Sequence, residues 1–153
     1  MSLTRNKNGN LEVFGVQIRE GRDNFLSLDD LIRAVNSERC EYGMPEREAE
    51  SILNSQKFAQ VLFYLAKEKH WTTSELPLFL NVIKNEGVVP VMKKMGVYKI
   101  SGVASTQTVM LNPYIWIIFT MELTPMLILQ IPPKAIRNLS NDDFRDDMLE
   151  KNN

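Results

Sequence analysis

Residues 97–125 read VYKISGVASTQTVMLNPYIWIIFTMELTP, and the change of pattern inside this run decides the fold class. Val97 to Ser101 and Thr106 to Leu111 are rich in β-branched residues. Between them Gly102-Val103-Ala104-Ser105 forms a Gly/Ser tip, so the run predicts a β-hairpin. Asn112-Pro113 then provides an N-cap and a first-turn proline for a helix. Tyr114 to Leu123 is apolar nearly all round, which requires burial on most faces. Thr124-Pro125 repeats the cap-plus-proline device and opens Met126 to Ile131, which Pro132-Pro133 ends. The nearly continuous apolar run from Ile115 to Ile131 is interrupted by Glu122 and Pro125. It falls short of the roughly 20 residues a spanning helix needs, so it predicts a buried pair of core helices and no membrane association.

Upstream, the same alternation of short strands and helices recurs. Leu11 to Arg19 is strand-like, with a shift of face at Gly15 that predicts a bulge. Glu20 to Asn24 has the composition of a turn, and Phe25-Leu26 that of a short return strand. Ser27 with Asp30 approximates a capping box, and Leu28, Leu31, Ile32 and Val35 have helical spacing that the polar stretch from Asn36 to Gly43 ends. Pro45 suits the first turn of another segment, with Glu46, Glu48 and Glu50 near its positive end. From Ser55 to His70 the apolar positions Phe58, Val61, Leu62 and Leu65 again have helical spacing. Thr72 with Glu75, or Ser74 alone, is the expected cap of a helix through Leu76, Phe79, Leu80 and Ile83 that Gly87 stops. Val88 to Gly96 reads as a connector.

With 153 residues, 44% apolar and 24% charged, the chain has the composition of one soluble domain with a substantial core. The expected organisation is a flexible polar lead-in over 1–10, an α+β domain over 11–131, and an acidic tail over 132–153. That tail is either a short docking helix or a solvated appendage. The first ten residues contain no apolar stretch of the kind a signal peptide needs, which makes the cytoplasm the expected compartment. Residues 1–137 carry 16 Lys and Arg against 14 Asp and Glu, and residues 138–153 carry 2 against 5. The acidity thus sits in the tail, and the slightly basic body permits nucleic-acid binding.

Two segments in this order resemble the KilA-N domain of phages and large DNA viruses. One is VQIREGRDNFLSLDDL over residues 16–31, a strand, a Gly/Asp turn, an aromatic residue and a capped helix start. The other runs from Tyr98-Lys99-Ile100-Ser101-Gly102 through Thr106 to Tyr114 and on to Thr124-Pro125, where a hairpin feeds a buried helix ending at Thr-Pro. Met110, Asn112 and Gln107 stand where the family carries Trp, His and Gly. The resemblance covers about residues 11 to 131. It implies short β-hairpins packed with several helices in a winged-helix-like arrangement. It also implies a DNA-binding role in phage or prophage gene regulation, within the host bacterial cytoplasm and often inside antirepressor-type proteins.

On that footing double-stranded DNA is the expected partner. The helix from Ser55 to His70 offers Gln56, Lys57 and Gln60, with Tyr64 and Lys67, on its polar face, residue types that suit a groove. Lys93, Lys94, Lys99, Ser101, Ser105, Thr106 and Gln107 offer ammonium, hydroxyl and amide donors for phosphate oxygens on a hairpin wing. The bland alternatives are the polar outside of any amphipathic helix and an ordinary hairpin end. The alternative function is an antirepressor-type interaction module that binds a phage or host regulatory protein and not DNA.

Enzymatic chemistry finds little footing. His70 is the sole histidine and Cys40 the sole cysteine, with no partner ligands at metal-binding spacing. Asp29 and Asp30 lie in a helix first turn, where capping and the helix dipole explain them. Asp142, Asp143, Asp146 and Asp147 do not match a calcium loop. There is no glycine-rich phosphate loop or nucleophile elbow, so no cofactor, metal site or catalytic residue is expected. Tyr114, Trp116 and Phe119 read as core.

Overall fold

In a computed structural model, which describes residues 3–124, the chain is an α+β fold. Six α-helices and two antiparallel three-stranded sheets lie among these residues. The first sheet has the order β1-β2-β3, with β1 Leu3–Arg5, β2 Leu11–Val13 and β3 Val16–Gln17. Part of the stretch expected as a lead-in is therefore strand. Leu3 pairs with Val13 and Arg5 with Leu11. Its asparagines do turn chemistry: the Asn6 side-chain oxygen accepts from the Asn8 and Asn10 amides. Gly15 is not at a bulge. Phe14 and Gly15 both have positive φ, 50° and 79°, and form the tight turn of the β2–β3 hairpin.

After a single 3-10 turn at Arg22–Asn24 comes β4, Leu26–Ser27, and then α1, Leu28–Glu41. The Ser27 hydroxyl oxygen accepts from the Asp30 amide, as the capping pattern predicts. The helix runs past the expected stop at Asn36. That side chain instead pairs with the backbone of Arg47, donating to its carbonyl and accepting from its amide. α2 spans only Ala49–Leu53, so Pro45, Glu46 and Glu48 precede the helix. α3 is Gln56–Glu68, capped by the Ser55 hydroxyl, and α4 is Leu76–Glu86. The N-cap of α4 is Glu75, without a side-chain cap; Thr72 accepts from the Ser74 amide instead.

The connector expected over 88–96 is a helix, α5, Val88–Lys94. Pro90 sits in its first turn, where backbone amides have no intrahelical acceptor to lose. Its Val88, Val91 and Met92 are buried. β5, Tyr98–Ser101, and β6, Thr108–Leu111, form the expected hairpin, and α6, Pro113–Leu123, follows with Asn112 as N-cap. The second sheet has the order β4-β6-β5, so β6 is central and β5 is an edge.

α6 explains its own composition. Ile115, Trp116, Ile117, Phe119, Thr120 and Leu123 are all buried, so the helix is a central core element. Trp116 is fully enclosed, and its indole N–H donates to the Ser27 carbonyl at 3.0 Å, tying α6 to β4. Phe58 of α3 meets Phe119 edge-on at 5.2 Å. One apolar cluster joins these to Leu11 and Val13 of the first sheet and to Leu31 and Val35 of α1. No helix among the described residues is long and apolar enough to cross a membrane. The expected helix after Pro125, the acidic tail and the boundary at residue 131 lie outside the described residues.

Candidate nucleic-acid interface

The β5–β6 hairpin protrudes: every residue from Lys99 to Gln107 is exposed, Val103 at 73%. Its tip turns at Gly102 with φ 96°, and a Cβ there would lie 2.7 Å from the Thr106 carbonyl oxygen. The strand is held from below by a polar network. The buried Asp30 carboxylate accepts from the Arg19 amide at 2.9 Å and from its guanidinium at 2.9 and 3.0 Å. That guanidinium also donates to the Thr106 carbonyl at 2.8 Å, reaching the wing tip. Asp29 accepts from the Val109 amide and the Thr108 hydroxyl, both at 2.7 Å, and the Thr108 and Ser27 hydroxyls share a 2.7 Å hydrogen bond. Burial pushes the Asp30 carboxyl up, but hydrogen bonds from Arg19 and the charges of Arg19 and Arg33 outweigh it and hold the carboxyl below its ordinary range. The Arg19 guanidinium is raised by the same hydrogen bonds. The two aspartates, expected to serve only their own helix, anchor the wing to α1.

The expected lysine cluster is divided. Tyr98 and Lys99 are consecutive on β5 and so project to opposite faces. The Lys93 ammonium lies 5.7 Å from the Tyr98 ring, on one face. Lys99 lies 4.6 Å from the Phe25 ring and 3.7 Å from the Asp23 carboxylate, on the other. Lys94 pairs with Glu86 of α4 at 2.7 Å. Ser101, Ser105 and Gln107 are exposed along the wing, while the Thr106 hydroxyl donates to the Val103 carbonyl at 3.3 Å.

On α3, Gln56, Lys57 and Gln60 are exposed, as is Tyr64. Lys57 pairs with Glu122 at 2.6 Å and Lys67 with Glu75 at 3.5 Å. α3 packs on α2, α4 and, through Phe58, α6, whereas the hairpin packs on β4, α1 and α5. The two candidate surfaces belong to different neighbourhoods of the fold. No protein-family model, curated protein or solved structure matches the chain.

A groove of about 420 Å³ separates the turn at residues 21–25 from β5. Its polar lining is Arg22, Asp23, Lys99 and Ser101, over Phe25 and Met110. In the sequence Arg22 and Asp23 read as turn residues and Phe25 as part of a short return strand, none of them as part of a site. Their neighbour on β5 is far away in the chain, and nothing local signals that pairing. Elsewhere, Cys40 lies exposed at a shallow hollow of about 590 Å³ with Arg33, Asn36, Ser37, Glu41 and Glu46. His70 is exposed just past the end of α3. Among the described residues no three His, Cys, Asp or Glu side chains converge as a metal site. The aspartates from 142 to 147 lie outside them.

Proposed function

We propose that the chain is a duplex-DNA-binding domain of a phage or prophage regulator, acting in the host bacterial cytoplasm, with β5–β6 as its wing. The observation that carries this reading is the wing itself. It is a protruding hairpin within a stretch, residues 87–121, that holds Lys93, Lys94 and Lys99 and no carboxylate side chain. Lys99 stands on the projecting hairpin and Lys93 and Lys94 on the helix that leads into it, and cationic contacts to a phosphate backbone position a protein without reading sequence. The resemblance of residues 16–31 and 98–125 to the KilA-N domain supports the same reading. In it the α3 face with Gln56, Lys57 and Gln60 supplies a second contact, to base edges.

The test is fluorescence anisotropy with a labelled random duplex across a range of salt. Affinity is expected to fall steeply as salt rises, with a slope of about −0.9 per phosphate neutralised. A Lys93/Lys94/Lys99 triple alanine variant is expected to bind more weakly with a shallower slope. Parental binding by that variant would show the wing assignment to be wrong.

A second reading is the antirepressor-type module that binds a regulatory protein. What favours it is the wing's apolar exposure, with Ile100 at 51% and Val103 at 73%, together with the carboxylates already facing Lys57, Lys94 and Lys99. A co-purifying phage or host regulator, with no duplex bound at low salt, would select it.

A further inference from the structure

We propose that the groove between the turn at residues 21–25 and β5 is a phosphodiester subsite, in which Arg22 and Lys99 grip one backbone phosphate and Ser101 donates a hydroxyl. This rests on the DNA-binding reading above and gives it a definite place on the wing. Both cations line one groove together with that hydroxyl. Arg22 is exposed, and its side chain has no hydrogen bond or ion pair among the described residues. A free guanidinium matches two phosphate oxygens at once, which an ammonium cannot do. Lys99 is already placed: its ammonium sits over the Phe25 ring, so less side-chain freedom is lost on binding.

Asp23 is the resident anion of the groove. Its carboxylate lies 3.7 Å from Lys99, outside hydrogen-bond range, and both side chains are more than half exposed. A pair of that kind holds weakly, so an incoming phosphate displaces it at little cost. The carboxylate nevertheless repels the ligand, and it stands there on a left-handed backbone, with φ 59° at Asp23 and 66° at Asn24. Asparagine tolerates that conformation well, so Asp23→Asn removes the charge without disturbing the turn.

The experiment compares the parent with Arg22→Ala, Arg22→Gln and Asp23→Asn on two duplexes of unrelated sequence. Each variant's thermal transition is first matched to the parent's. Arg22→Ala and Arg22→Gln are expected to weaken both duplexes several-fold and equally, and to reduce the salt slope by about 0.9. Asp23→Asn is expected to tighten both by about two- to fivefold. If both Arg22 variants keep the parental affinity and slope while the parent binds, the subsite is overturned and the DNA reading survives. Loss confined to one sequence would mean a base contact, which also overturns it. A parent that binds neither duplex at low salt overturns the DNA reading, and this inference with it.

Discussion

His70 has a left-handed backbone, φ 60°, and its position explains why. The Trp71 amide donates to the Ala66 carbonyl and the His70 amide to the Lys67 carbonyl, a closed helix end that requires positive φ at the residue between. α1 and α5 end in the same way, with Gly43 at φ 70° and Gly96 at φ 76° in that place. The sole histidine thus fills a glycine position. His70→Gly is expected to raise stability by about 0.5–1 kcal/mol, the relief of left-handed strain less glycine's greater freedom in the unfolded chain. Urea denaturation at pH 7 measures it, and a less stable variant would contradict the account. The same kind of position hid a turn: Phe14 carries φ 50° where asparagine or glycine would have announced a hairpin. Phe14 also packs against the core, and that burial offsets its strain.

The element that matters most is the wing with its attachment to α1, and here the sequence was only half legible. The hairpin, its Gly/Ser tip, the Asn112-Pro113 helix start and the buried character of α6 all follow from local pattern. So does the Ser27 cap. What pattern does not reveal is that Asp29 and Asp30, adjacent in one first turn, face different partners on other elements. Asp30 takes Arg19, and Asp29 takes the Thr108 hydroxyl and Val109 amide. Nor does it reveal that Lys93 and Lys99 lie on opposite faces of β5, because which face α5 brings Lys93 against is a tertiary contact with no local signal. α5 was lost for a local reason, a proline whose position within a helix cannot be judged until the helix start is fixed.

The Asp30 carboxyl titrates lower in the folded chain than its ordinary value of 3.8. Its contribution to stability is therefore complete above that value and is lost as pH falls from there through the folded pKa. Asp30→Asn is expected to cost about 2 kcal/mol at pH 7, the scale of hydrogen bonds to a charged group. The gap between parent and variant should narrow below pH 3.8. A gap that stays constant from pH 7 to pH 2.5 would show that Arg19 draws nothing from the charge of Asp30.

At the scale of the whole molecule, one apolar cluster runs from Leu11 in the first sheet to Leu123 at the end of α6. Trp116 lies inside it, fully buried. A shared core predicts shared melting: tryptophan fluorescence and far-UV circular dichroism should trace a single coincident thermal transition. Separated midpoints would mean that the β1-β2-β3 sheet and the helices hold together independently. The same closure has a consequence in time. Ser27 meets Thr108 across 81 positions, and Trp116 reaches back 89 to the Ser27 carbonyl. Pairings over such separations carry a large loop-closure cost and form slowly. During synthesis β4 is made early and then waits, its central partner β6 not yet translated, until nearly the whole helical middle has emerged. The wing thus takes its shape only once β6 has emerged, and a chain interrupted before residue 108 has no wing to present.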